Sequence, residues 1–77
     1  MDKLIKELKE LLAPYAEEQE AKYAIYYDET AETLHAELTC GWKGASVAYS
    51  HEDFANNDPT AADVFEFLRT TWEDADK

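Results

Sequence analysis

The sequence predicts an α+β fold, in which a three-stranded antiparallel sheet carries two helices on one face in the order α-β-β-β-α. Residues 23–50 contain three short runs in which apolar and polar residues alternate, as they do in half-buried strands. The flanking segments instead repeat apolar residues every three or four positions, which is typical of amphipathic helices. Because 77 residues suffice for one modest core, we expect residues 1–77 to form a single domain.

The first helix is predicted over residues 2–13. Asp2 is placed to cap its N-terminus, where a negative charge suits the helix dipole. Pro14 has no N–H to continue the hydrogen bonding, so we expect the helix to end or kink near Ala13. Residues 15–22 then form a further helical turn or a loop. The apolar stripe of this helix consists of Leu4, Ile5, Leu8, Leu11 and Leu12.

Strands are predicted at residues 23–27, 33–40 and 45–50. A polar hairpin connection at residues 28–32 separates the first two, and Gly41 and Gly44 mark the second turn. Because alternate residues of a strand point to opposite faces, one face of this sheet is apolar. We expect Cys40 to be a buried thiol on that face. The residues predicted to face the core are Tyr23, Ile25, Tyr27, Leu34, Ala36, Leu38, Cys40, Val47 and Tyr49.

A loop is predicted at residues 51–58, before the final helix. Asp58 can cap this helix with Pro59 at its first position, whereas Thr60 with Asp63 forms a competing capping box. On a helical wheel the residues that face the sheet are Ala61, Val64, Phe65, Leu68 and Trp72. The outer side of the helix carries Asp63, Glu66, Glu73 and Asp74.

The net charge of −11 is large for a small domain, which typically carries a net charge of magnitude about 2–8. Residues 1–10 contain equal numbers of lysines and acidic residues, so the whole excess lies after them. Such a chain should repel nucleic acid and anionic membranes. It should be attracted to basic surfaces, which include the nucleic-acid grooves of other proteins.

Several protein classes are disfavoured by the sequence. No apolar run approaches about 18 residues, so no membrane span is expected, and the charged N-terminus does not resemble a signal peptide. Cys40 is the single cysteine, which excludes an internal disulfide and fits a reducing cytoplasm. Double-stranded-RNA-binding domains share the predicted element order, but they bind phosphates with basic surfaces.

Signatures of metal binding and catalysis are also missing from the sequence. The acidic turn segments lack the glycine and closing glutamate of a calcium loop. His35, Cys40 and His51 do not have the close spacing of paired zinc ligands. There is no glycine-rich phosphate loop, and a domain of this size is too small for a deep pocket. We therefore expect neither an enzyme nor a bound cofactor.

The acidic residues are the remaining signal. They occur at Glu17, Glu18 and Glu20, in the first hairpin turn, after the third strand and on the last helix. One interpretation is that they are ordinary solvated surface charges. The alternative is that carboxylates spaced about 5–7 Å apart imitate a row of phosphates and bind in the basic groove of another protein. Tyr26 and Phe67 lie off the predicted core faces, as core-margin residues or as contact anchors. The predicted partner-binding residues are Asp28, Glu29, Glu32, Glu52, Asp53, Asp58, Asp63, Glu66, Phe67, Glu73 and Asp74.

Taken over all 77 residues, the chain resembles the small acidic inhibitors made by bacteriophages, above all the anti-CRISPR proteins. The resemblance lies in size, acidity, the absence of catalytic motifs and an element order that starts with a short helix such as MDKLIKELKELL. It implies a non-enzymatic protein that binds a Cas effector in the cytoplasm of a bacterial host and blocks its DNA- or RNA-binding surface without a cofactor. It assigns no residues, because the family shares no motif. The alternative is a regulatory or structural protein–protein interaction domain with an ordinary solvated acidic surface.

The excess of one charge sign predicts that stability depends on salt. Negative charges repel one another in the folded chain. Raising the ionic strength from about 0.01 M to about 0.15 M shortens the Debye length from about 30 Å to about 8 Å, and this should raise the melting temperature. Thermal unfolding followed by circular dichroism measures the effect. A melting temperature that stays constant or falls would show that attractive pairs outweigh the repulsion.

Overall fold

The computed structural model describes residues 2–75, which form three helices and a three-stranded antiparallel sheet with the strand order β1-β2-β3. The predicted α+β class is therefore confirmed, with one helix more than the sequence predicted. The elements are α1 (Asp2–Glu18), β1 (Lys22–Asp28), β2 (Thr33–Cys40), β3 (Lys43–Ser50), α2 (His51–Asn57) and α3 (Ala61–Asp74).

Rows of apolar side chains cross the inner face of the sheet from strand to strand. In an antiparallel sheet, residues directly opposite each other point to the same face. Pairing of β2 with both neighbours therefore confirms the predicted alternation, and it leaves the opposite face polar and open. The inner rows are Tyr27–Leu34–Tyr49, Ile25–Ala36–Val47 and Tyr23–Leu38–Ala45.

Helices α1 and α3 cover this inner face and run in the same direction. At one end, Leu4 of α1 and Ala61 of α3 line the same open groove. At the other end, the Nε1 group of Trp72 donates a hydrogen bond to Oε1 of Gln19 at 3.2 Å, just beyond α1. The helices contribute to one core the buried side chains of Leu8, Leu12, Ala16, Ala61, Val64, Leu68 and Trp72. The predicted inward side of the last helix is confirmed, with Phe65 partly buried against this core.

α1 continues through Pro14 to Glu18, so of the alternatives that the sequence left open after Ala13 the further helical turn is present and the helix end and the loop are not. Pro14 removes one hydrogen-bond donor, but the turn that contains it packs against the core through the buried Ala16. Tertiary packing therefore outweighs the low helix propensity of proline. Asp2 lies within the first turn of α1 rather than at the cap position before it.

Three residues predicted to face the core are exposed instead. Tyr23 is 39% exposed near the start of the edge strand β1. Leu11 is 40% exposed, because the buried stripe of α1 follows Leu8, Leu12 and Ala16 and leaves Leu11 at its margin. Cys40 is also exposed. It is the last residue of β2, and β1 begins only at Lys22, opposite Thr39, so Cys40 has no neighbour from β1.

The segment predicted as a loop at residues 51–58 is largely helix α2, so this expectation is wrong. Ser50 caps it: the Oγ atom of Ser50 accepts from the N–H of Asp53 at 3.3 Å, and Oδ2 of Asp53 accepts from the N–H of Ser50 at 2.8 Å. This reciprocal capping box satisfies donors that would otherwise lack partners at the helix end. Asp58 ends α2 in the left-handed conformation, with φ of 42°.

A second capping box begins α3, at Thr60 rather than at Asp58. The N–H of Asp63 donates to Oγ1 of Thr60 at 3.2 Å, and Oδ2 of Asp63 accepts from the N–H of Thr60 at 3.0 Å. Of the two capping registers compatible with the sequence, the one with Thr60 is therefore confirmed.

The two hairpin turns are stabilised differently. In the first, Oδ1 of Asp28 accepts hydrogen bonds from the N–H groups of Thr30 and Ala31 at 3.0 and 3.1 Å. The second contains two residues, Gly41 and Trp42, and Gly41 has a φ of 61°, which favours glycine. This turn leaves Trp42 89% exposed at the tip of the hairpin.

The capping box of α3 gives a test of the fold. Thr60→Ala should lower the free energy of unfolding by about 0.5–2 kcal/mol, since the first turn of α3 loses a side-chain acceptor. Urea denaturation measures the change. The control is Thr70→Ala, an exposed threonine within the same helix, which should cost less. Equal losses from the two variants would contradict the importance of the cap.

Candidate protein-binding surface

Sheet register brings two of the acidic groups to the same end of the molecule. Asp28 pairs with Thr33, and Thr33 pairs with Ser50. The turn that follows β1 and the helix that follows β3 therefore leave the sheet at one end. The turn carries Glu29 and Glu32 into solvent, and α2 carries Glu52 in its first turn.

The start of α3 adds a third contribution to this end. Burial, and then the negative charges of Asp63 and Asp53, raise the pKa of Tyr49. The ring of Phe67 in α3 also contacts that of Tyr49, which lies in the inner row next to the Ser50 end of the sheet, so the first half of α3 lies at this end. We use the name acidic end for the carboxylates gathered here: Asp28, Glu29, Glu32, Glu52, Asp53, Asp58 and Asp63.

An aromatic cluster, Tyr49, Phe54 and Phe67, adjoins the acidic end. The ring of Tyr49 lies 6.2 Å from that of Phe54 and meets the ring of Phe67 edge-on at 6.1 Å. Phe67 is 53% exposed, so the structure places it off the buried core, as the helical wheel predicted. An apolar ring therefore lies exposed at the margin of a strongly charged surface.

Several predicted partner-binding acids already have structural roles. The carboxylate of Asp28 holds the first hairpin turn, and those of Asp53 and Asp63 complete the two capping boxes. Their side chains are held in place by hydrogen bonds to the backbone. The exposed acids Glu29 and Glu52 project from the same segments without such a role in residues 2–75.

The acidic row predicted on the last helix is divided by the structure. Glu66 and Glu73 both form ion pairs with Arg69, at 2.9 Å between Nη1 and Oε2 in the second case. Glu73 also accepts a hydrogen bond from the Tyr15 hydroxyl at 3.1 Å. Glu73 and Asp74 lie with Trp72 at the far end of α3, about 18–20 Å from its start at 1.5 Å per residue. They therefore do not contribute to the acidic end.

Three exposed aromatic residues lie elsewhere on the surface, and one of them is Tyr23 on the inner face of β1. Tyr26 is 48% exposed on the open face of the sheet, where its ring stacks on His35 at 4.8 Å. Trp42 lies at the hairpin tip, at the opposite end of the sheet from Ser50. Sequence reasoning did not select Trp42. Its position next to Gly41 in a short turn was the signal that would have indicated an exposed side chain. Sequence reasoning also did not group Tyr49 and Phe54, whose proximity depends on α2.

Other kinds of site have little support in the described part of the chain. An open groove of about 470 Å³ lies between the start of α1 and the α2–α3 junction, with Lys3 and Asp58 among its lining residues. Within residues 2–75, no three histidine, cysteine or acidic side chains are grouped as metal ligands would be. None of the helices described there is long and apolar enough to span a bilayer. The acidic end with its aromatic cluster is therefore the strongest candidate.

The exposure of Phe67 predicts an asymmetry between two neighbouring phenylalanines. Phe67→Ala should reduce the free energy of unfolding by less than Phe65→Ala, because Phe65 is partly buried against the core and packs edge-on against Tyr15 at 5.5 Å. Chemical denaturation of both variants measures the difference. A loss of about 3–5 kcal/mol for Phe67→Ala would show that this side chain belongs to the core.

In comparisons with known proteins, no family model, curated protein or solved structure matches this chain.

Proposed function

We propose that this chain is a non-enzymatic inhibitor that binds a basic, nucleic-acid-binding protein and occupies the surface where that protein holds DNA or RNA. The resemblance to anti-CRISPR proteins suggests a Cas effector as the partner and the cytoplasm of a bacterial host as the location. The observation that supports the proposal is the convergence of acidic residues from the first turn, α2 and the start of α3 at one end of the fold.

The electrostatics of the acidic end suit a Lys/Arg-lined groove. Duplex DNA presents about one negative charge per 1.7 Å of its axis, and proteins that bind it carry complementary lysines and arginines. Carboxylates such as Glu29, Glu32 and Glu52 project from segments fixed by the sheet and by a capped helix. Because these segments are folded before contact, little ordering is needed on binding. Attraction of this kind raises the association rate and falls as salt rises.

The exposed ring of Phe67 supplies a contact that charge alone cannot. Interfaces depend on a few aromatic or arginine anchors that are shielded from water by polar neighbours. Phe67 rests on Tyr49 and lies beside acidic residues, which is the arrangement of an anchor within a charged rim. In this proposal the carboxylates guide the encounter and Phe67 slows dissociation.

The alternative is a regulatory or structural interaction domain whose acidic surface is ordinary. One observation favours it: Asp28, Asp53 and Asp63 serve the turn and the caps, and Glu66 and Glu73 pair with Arg69. These acids have a structural reason to be present whether or not a basic partner exists. The acids without a structural role, above all Glu29 and Glu52, distinguish the two functions, because only the proposed inhibitor would use them to bind a partner.

Competition tests the proposal. Cas effectors and basic nucleases are bound to fluorescently labelled DNA or guide RNA and titrated with this protein. We expect displacement of the nucleic acid from at least one of them, weakening as salt is raised because the attraction is Coulombic. A ternary complex in a gel shift, in which protein and nucleic acid bind together, would exclude direct mimicry.

Matched variants locate the contact in the same assay. Glu29→Lys with Glu52→Lys should weaken competition by slowing association, whereas the same charge change at Glu10 and Glu17 on α1 should have a smaller effect. Phe67→Ala should weaken binding by about 1–3 kcal/mol, mainly through faster dissociation. If all three variants compete as the unmodified chain does, the acidic end is not the contact surface.

A further inference from the structure

Strand β1 forms an edge of the sheet. The order β1-β2-β3 gives it β2 on one side, and within residues 2–75 no strand pairs with its other side. An edge of this kind presents unpaired N–H and C=O groups that another strand can bind. Edge strands are usually protected by proline, by a bulge or by charges within the strand. In β1 the pairing runs without interruption from Lys22 to Asp28, and its charged residues are confined to those two ends.

The sequence of β1 is complementary to itself in the antiparallel direction. When two copies are aligned about Ile25, Lys22 of each lies opposite Asp28 of the other. Tyr23 then lies opposite Tyr27, and the small Ala24 lies opposite Tyr26. Opposite residues of antiparallel strands have Cβ atoms about 4.5–5.5 Å apart, so the arrangement provides two lysine–aspartate pairs and two tyrosine–tyrosine pairs.

We propose that two copies of this chain associate through β1, in the register centred on Ile25, to form one continuous six-stranded antiparallel sheet. The proposal concerns self-association and does not depend on the function proposed for the acidic end. The occupant of the edge is a second copy because the charges at the ends of β1 complement those of the same strand reversed.

Other registers are less favourable. After a shift by one residue, N–H and C=O groups that point toward the other strand would lie opposite residues whose groups point away from it. Side chains of the inner face would also lie opposite side chains of the outer face. A shift by two residues keeps the faces but places Lys22 opposite Tyr26 or beyond the strand end, so the paired charges are lost. The register centred on Ile25 uses all of β1.

Side chains at the proposed contact are already held in place or exposed in the single chain. Oδ1 of Asp28 accepts two backbone hydrogen bonds from the turn, which fixes the carboxylate at the end of β1. Tyr23 and Tyr26 are 39% and 48% exposed, one on each face of the sheet, so a neighbouring strand would cover apolar surface on both. The ring of Tyr26 is already held by stacking on His35 and would lie beside the small Ala24 of the second copy.

The net charge of −11 on each copy opposes association, but the proposed arrangement reduces this repulsion. A twofold axis perpendicular to the sheet sends the two acidic ends in opposite directions. The charges that come closest, Lys22 and Asp28, have opposite signs. Salt at about 0.1 M limits repulsion to about 10 Å, so moderate salt should favour the dimer over low salt.

Charge reversal tests the register. Lys22→Asp places aspartate opposite aspartate, and Asp28→Lys places lysine opposite lysine. Each variant alone should therefore dimerise at least about tenfold more weakly than the unmodified chain. Mixed together, the two variants regain both oppositely charged pairs, so a heterodimer should form. Sedimentation velocity measures the single proteins over a range of concentrations, and native mass spectrometry identifies the heterodimer.

Controls separate the register from total charge and from folding. Lys3→Asp and Glu10→Lys make the same charge changes outside the strand and should leave dimerisation within about twofold of the unmodified chain. Asp28→Asn keeps the turn acceptor while removing the charge, so it should weaken the dimer even if Asp28→Lys unfolds by circular dichroism. A monomeric unmodified chain, equal dimerisation of all variants, or folded single variants that do not combine would each overturn the proposal.

Discussion

Burial of the inner side of β2 is the constraint on which the rest of this fold depends. β2 lies between the other two strands, and its alternate residues Leu34, Ala36 and Leu38 are almost completely removed from water. Because the side-chain period of a strand is two, a slip of one residue would move all three to the open face. The same register determines which segments leave the sheet together. A core requirement therefore places the first turn and α2 side by side, and with them the acidic residues that they carry.

Acidic residues of this chain stabilise the fold, and under the proposed function they would also bind a basic partner; the two purposes partly compete. Asp53 and Asp63 stabilise helix starts, where backbone N–H groups and the helix dipole favour negative charge. A carboxylate already bound to backbone donors is more precisely placed, but it has less capacity to accept from a partner. The high net charge is therefore not a measure of binding capacity by itself. Residues such as Glu29 and Glu52, which sit next to the structural acids, are the ones free of this conflict.

Strong local patterns explain which parts of the structure could be predicted. The bounds of β2 and the inward residues of α3 follow from strict alternation and from helical spacing. Helix α2 has seven residues and none that is fully buried, so it has no periodic signal. Its capping box at Ser50 and Asp53 was the available clue. The sequence left open whether a helical turn or a loop follows Pro14, and the choice depends on packing of Ala16 against distant segments. The acidic end likewise depends on the strand register and on the direction of α3, and neither can be read from the amino-acid composition.

The two tryptophans have opposite surroundings, and this gives the protein a built-in pair of optical reporters. Trp72 is 2% exposed and donates a hydrogen bond to Gln19. The ammonium group of Lys43 lies over its ring, 4.0 Å from the ring centre. Trp42 is almost fully in water at the hairpin tip. A soluble quencher should reach Trp42 and spare Trp72 in the folded chain. Fluorescence can therefore distinguish an event at the hairpin tip from an opening of the core, without any added label.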